Sequence, residues 1–262
     1  MNYDESLVKL RFVGEKLDQK AIPIYELGTA LVALQRLIHK AHLSRLDRLS
    51  ESNYPSKKER INLALQLGAR RRLSDAYGLV PVNAEEGNFD YISELADFAI
   101  KNIAAYESVA DFDYFQRIAD NRKLYIINIY NQISALSDRI GNVGGIESIE
   151  ISGHLSGDAR AVYITSETRD LVKTVKGRLM KGPLTQLLGE VVDFNPVGNI
   201  VRLLVDSQNR VMAVRMTLDD FSRVRYSRQR RPRLRVEGWP LHKMGVESLK
   251  YESFEARIVD IN

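Results

Sequence analysis

The sequence predicts an α+β protein of two parts. Residues 1–182 should form a domain that pairs a small sheet with long helices, and residues 183–262 a five-stranded small β-barrel. Three observations lead there. Apolar residues recur at helical spacing over Pro23–Leu46 and again through much of Asp90–Gly141. Beyond residue 183 the pattern changes to short alternating segments separated by turn residues. Between the two regimes lies Lys176-Gly-Arg-Leu-Met-Lys-Gly-Pro183, basic and interrupted by glycine and proline, the composition of a domain boundary.

In the first part, Leu7–Val13 alternates apolar and basic residues and reads as a half-buried strand closed by Gly14. Leu27, Ala30, Leu31, Leu34, Leu37, Ile38 and Ala41 then make the apolar stripe of a helix over Pro23–Leu46. Its last turns carry Arg36, His39, Lys40, His42, Arg45 and Arg48, which suit the negative end of a helix dipole. Ser50–Lys58 reads as a loop, and Arg60–Leu67 as a second strand with Ile61, Leu63, Leu65 and Leu67 on one face. Leu79–Val82 is extended or loop. A helix starting near Asp90 and a second over Asp113–Ile140, interrupted near Asp120-Asn121, should follow, with Gly141-Asn-Val-Gly-Gly145 ending the second. Ile146–Ile151 and Arg160–Thr165 read as a strand pair, and Ser166–Lys181 as weakly helical.

In the second part, strands are expected at Leu187–Phe194, Ile200–Val205, Arg210–Met216, Arg231–Gly238 and within Val246–Ile261. Thr217-Leu-Asp-Asp220 has the spacing of a capping box with aspartate in the acidic slot, so a short helix should separate the third strand from the fourth. Five strands with that helix match an OB-like barrel first and an SH3-like barrel second.

Composition narrows the function classes. An apolar fraction of 44% and a charged fraction of 27% are ordinary for a globular protein, and the net charge is only +4. The distribution of charge says more. Nine acids stand against two bases from Val80 to Asp120, whereas seven arginines and no acid fall between Arg223 and Arg235. With no cysteine, disulfides, thiolate metal sites and cysteine nucleophiles are excluded. The N-terminus lacks the basic-then-apolar pattern of a signal peptide, and no apolar run approaches the ~18 residues of a membrane span. A cytoplasmic protein is expected.

On the fourth strand, period two places Arg231, Arg233 and Arg235 on one face and Leu234 and Val236 on the other. Three aligned guanidiniums flanked by Arg223, Arg225, Arg228 and Arg230 suit a track for the phosphates of DNA or RNA, with Tyr226 and Trp239 as stacking faces. Two plainer readings are an edge strand defended by charge and a patch that meets the acidic segment of a neighbouring molecule. Arg70-Arg71-Arg72 with Lys57, Lys58 and Arg60 reads as a solvated strand end or a second contact.

Catalytic and metal signatures are sparse. His39 and His42 lie three apart on one helix, but no cysteine or paired acid completes a metal site, so neither metal nor cofactor is expected. His154 and His242 lack a local acid or base partner, and capping explains Asp219-Asp220 more simply than a magnesium pair. Gly141–Gly145 lacks the lysine of a phosphate loop and follows a helix. The expectation is a non-catalytic nucleic-acid-binding accessory protein whose helical region mediates self-association or docking to a catalytic partner, or, as the alternative, a scaffold subunit that self-assembles or docks a catalytic partner through complementary acidic and arginine-rich surfaces.

The runs Leu7-Val-Lys-Leu-Arg-Phe-Val-Gly14 and Ile22-Pro-Ile-Tyr-Glu-Leu-Gly-Thr-Ala-Leu31, with Glu86-Gly-Asn-Phe89 further on, resemble a group of uncharacterised bacterial proteins. In that group a strand precedes a helix of similar pattern, a Gly-Ser-Phe-like element follows, and a small barrel closes the chain. Here asparagine stands for the serine. The resemblance implies a setting in phage defence or mobile elements and carries no activity to any residue.

Overall fold

The computed structural model describes residues 3–14, 17, 22–49, 52, 54–71, 75–83, 87–110, 115, 117–141, 145–157, 160–227, 231–245 and 253–261. The chain divides into two compact units, Met1–Lys176 and Gly177–Asn262.

The first unit is built on β1 (Val8–Val13), whose Val8, Leu10 and Phe12 are buried, as its alternation requires. β2 (Leu65–Arg70), β3 (Ala76–Pro81), β4 (Ser148–Gly153) and β5 (Val162–Ile164) join it in an antiparallel sheet of order β2-β3-β1-β4-β5. Helix α1 (Ile24–Arg45) buries Ala30, Leu34, Leu37, Ile38 and Ala41, the stripe read from the sequence.

One expectation changes here, and one left open between extended and loop is decided as extended. Arg60–Leu67 is not one strand: Ser56 and Glu59 form a reciprocal capping box, Ser56 Oγ accepting from Glu59 N–H and Glu59 Oε2 from Ser56 N–H, which starts α2 (Lys57–Asn62). Local capping wins over alternation, Ile61 turns out to solvent, and β2 starts only at Leu65. Leu79–Val82, in turn, falls largely within β3, which is buried along its length between β1 and β2.

α3 (Asn88–Ala104) runs into a 3-10 turn at Ala105–Ala110. The second helical stretch is split into α4 (Asp120–Asn128) and α5 (Tyr130–Ser137), parted at Ile129. The interruption expected near Asp120-Asn121 falls at Ala119, whose backbone is extended. Residues 111–114, 142–144 and 246–252, parts of the expected second helix, its glycine-rich stop and the fifth strand, lie outside the described residues. Ser166–Lys181 resolves into α6 (Ser166–Val175), in the first unit, and β6 (Leu179–Lys181), which already belongs to the second unit and its sheet.

That second unit is a closed barrel of β7 (Thr185–Asn195), β8 (Ile200–Val205), β9 (Arg210–Arg215), β10 (Arg233–Lys243) and β11 (Ser253–Ile261). Strands pair in the circuit β7-β8-β9-β11-β10-β7, and β6 extends the sheet from β10. The β9–β11 closure is parallel and brief, Val214 opposite Phe254 and Arg215 opposite Glu255. Helix α7 (Leu218–Arg225) connects the third barrel strand to the fourth, the OB-like arrangement. Inward residues, among them Leu203, Val214, Phe221, Leu234, Val236 and Phe254, form the core. Among the described residues, no helix is long and apolar enough to cross a membrane.

Candidate nucleic-acid interface

The barrel turns its charge outward because every second residue of each strand must face solvent. Along β10, Arg233, Arg235, Glu237, Trp239 and Lys243 point out, while Leu234, Val236, Gly238, Pro240 and His242 are buried. Residues 177–262 hold 15 arginines and lysines against 10 acids, so this unit carries the positive charge of a chain whose total is +4.

The arginine band spans more than one element. Arg223 and Arg225 belong to the last turn of α7, where cations favour the helix dipole. Arg231 stands just ahead of β10, which starts at Arg233 and not at Arg231 as expected. Arg228 and Arg230 lie outside the described residues.

Nor is the band uniformly unpaired. Arg223 Nη1 meets Asp220 Oδ1 at 3.1 Å, Arg231 Nη1 meets Glu190 Oε1 at 3.3 Å, and Arg233 pairs with Asp206. All three arginines stay more than half exposed, so these are solvated pairs worth about 0–1 kcal/mol each, weak enough for a phosphate to displace. Arg225 and Arg235 have no acid partner among the described residues; the Arg225 guanidinium lies 5.9 Å from the ring centroid of Tyr226, which is exposed.

Thr217 accepts from Asp220 N–H at 3.2 Å, as the capping pattern predicts. Asp220 does not reach back to close the box. Its Oδ2 accepts from Ile258 N–H on β11 at 3.3 Å, serving a backbone donor beyond the two-residue β9–β11 ladder.

Trp239 lines a cleft of about 420 Å³ with Leu184, Arg215, Glu237, Glu255 and Arg257. Lys181 Nζ sits 4.9 Å from the indole centroid and 3.0 Å from Glu255 Oε2. Glu237 accepts from Arg257 at 2.7 Å and from Gln186 at 3.3 Å; Arg257 first, then Gln186, holds its carboxyl below the usual carboxylate range. Of these lining residues only Trp239 stood out in the sequence. The outward parity of Arg215, Glu255 and Arg257 was legible, but which strands adjoin Trp239 depends on the barrel circuit.

The histidines are occupied structurally. His39 bonds Gln35 at 3.0 Å, and His42 lies between the Tyr91 hydroxyl at 2.7 Å and Glu59 at 3.4 Å. His154 is exposed, its ring edge-on to Phe89. Burial pushes the His242 imidazole down to about 4. Among the described residues, no three or more histidines, cysteines or acids cluster to hold a metal ion. Of the second basic group, Arg70 pairs with Asp75 and Arg72 lies outside the described residues, while Lys57, Lys58 and Arg60 are exposed on α2.

No protein-family model, no curated protein and no solved structure matches the chain.

Proposed function

We propose that the protein is a non-catalytic nucleic-acid-binding accessory component, cytoplasmic and belonging to a bacterial phage-defence or mobile-element system. One observation carries the binding role: the OB-like barrel presents Arg223, Arg225, Arg231, Arg233 and Arg235 to solvent on the unit that holds the excess of positive charge. Phosphates exchange with the weak ion pairs of Arg223, Arg231 and Arg233 and meet Arg225 and Arg235 directly. Tyr226 and Trp239 supply stacking faces. The setting rests on the resemblance alone, carried by the N-terminal strand and helix, Glu86-Gly-Asn-Phe89 and the order of elements. The helical unit mediates self-association or docking to a catalytic partner, a role supported by Ile24, Tyr25 and Val32, which α1 leaves exposed.

The test is titration of labelled single- and double-stranded oligonucleotides at several salt concentrations, with an Arg225→Gln/Arg235→Gln variant alongside. For single strands, each phosphate contact contributes a slope of about −0.7 in log K against log salt, so the variant should flatten the slope by about 1.4. Absence of binding at low salt would overturn the reading. The scaffold alternative is favoured by the ion pairs themselves, which show this surface already satisfying carboxylates. It predicts oligomerisation that dissolves with salt and no affinity for oligonucleotides.

A further inference from the structure

We infer that the cleft beside Trp239 is a nucleobase subsite for single strands, selective for bases with an edge amino group (cytosine, adenine, guanine) over thymine and uracil. This deepens the reading above and depends on it.

Barrel closure creates the subsite. Trp239 on β10 stands opposite Glu255 on β11, and Glu255 stands opposite Arg215 on β9. Stacking face, acceptor and cation therefore form one outward row across three strands, each about 4.8 Å from the next. Its volume of about 420 Å³ lies in the range of small-ligand sites.

Lys181 indicates what the subsite recognises. Its ammonium rests over the indole ring and donates to Glu255, the two contacts an amino-bearing base makes when it stacks and turns its edge toward a carboxylate. The flexible lysine stem swings aside, and the base takes both contacts. An ionised carboxylate only accepts hydrogen bonds. Cytosine N4, adenine N6 and the guanine amino group donate to it from the rim of the base, whereas thymine and uracil offer a single N3–H set between two carbonyl oxygens that it repels. Glu237, held ionised by Arg257 and Gln186, puts a second carboxylate on the wall. Arg215, without an acid partner among the described residues, is placed for the phosphate of the same nucleotide.

Trp239 is the only tryptophan, so its emission reports on this subsite. The full chain is titrated at low salt with oligomers of about twelve nucleotides of dC, dA or dT, following tryptophan emission and the anisotropy of a labelled strand. Expected are quenching by dC and dA and an affinity about tenfold above that for dT. Glu255→Gln, an exposed change that leaves the barrel intact, should bring dT close to dC, because an amide both donates and accepts. Trp239→Leu, with its fold checked by circular dichroism, should lose the preference and keep the salt-dependent affinity.

Equal affinity for dC and dT with unchanged emission, while Arg225→Gln/Arg235→Gln still weakens binding, overturns the subsite and leaves the arginine reading standing. A dC preference that survives Glu255→Gln overturns the assignment of the acceptor. No binding of any oligomer at low salt overturns both readings.

Discussion

At the scale of single residues, several side chains do work that their sequence neighbourhood does not announce. Asp220 was legible as part of a cap, yet its carboxylate also serves the N–H of Ile258, which lies far away in the chain. Asp220→Ala should lower barrel stability by about 1–2 kcal/mol, since it removes the pair with Arg223 and leaves a part-buried backbone donor without its acceptor. The midpoint of urea unfolding, followed by tryptophan emission, measures this. Buried imidazoles are a second case. His39 is pushed down to about 4, first by burial and then by Arg60, and His242 to about 4 by burial. In the unfolded chain each takes a proton near pH 6.5, so between about 6.5 and 4 the unfolded state binds more protons. Stability should be fully present above pH 6.5 and fall as pH drops toward 4. His39→Gln and His242→Gln should each flatten that slope in urea titrations run across the window, and an unchanged slope would remove the residue from the account.

Among elements, the sequence was read well where one period dominates and misread where two signals compete. The stripe of α1 and the alternation of β1, β8 and β9 needed no context, because each buries one face only. Over residues 60–67 alternation pointed to a strand, while the Ser56–Glu59 capping box just ahead of it starts a helix. Satisfying orphan N–H groups locally decided it. Ser56→Ala should cost about 1 kcal/mol and reduce helicity there, readable as faster amide exchange over residues 57–62. In the barrel, bent strands need room at their crossings. A Cβ on Gly238 would meet the Glu255 carbonyl oxygen at 2.0 Å, and one on Gly189 would meet that of Leu204 at 2.3 Å. Both obstacles are backbone, so Gly238→Ala should cost about 3 kcal/mol or more and open the β10–β11 pairing, seen as loss of amide protection on both strands.

For the whole molecule, the two units differ in kind. Residues 177–262 have their own core and the excess of basic charge, whereas residues 1–176 hold the long helices and the five-stranded antiparallel sheet. The barrel closes through its own strands, so residues 177–262 expressed alone should give the β-rich spectrum and cooperative unfolding of a folded domain. A chain that stays unfolded would show that the rest of the protein is needed to stabilise it. The sequence by itself determined the α+β class, the five barrel strands, the helix between the third and fourth, and the outward parity of the arginines. Those properties follow from local periodicity and capping, which act within a few residues. Only the tertiary structure decided that Arg231 and Arg233 meet Glu190 and Asp206, that β6 joins the barrel sheet, and that Arg215, Glu255 and Trp239 stand in one row. Those are pairings between strands distant in the chain. They depend on which edges close the barrel and in what register, and a period of two leaves both open.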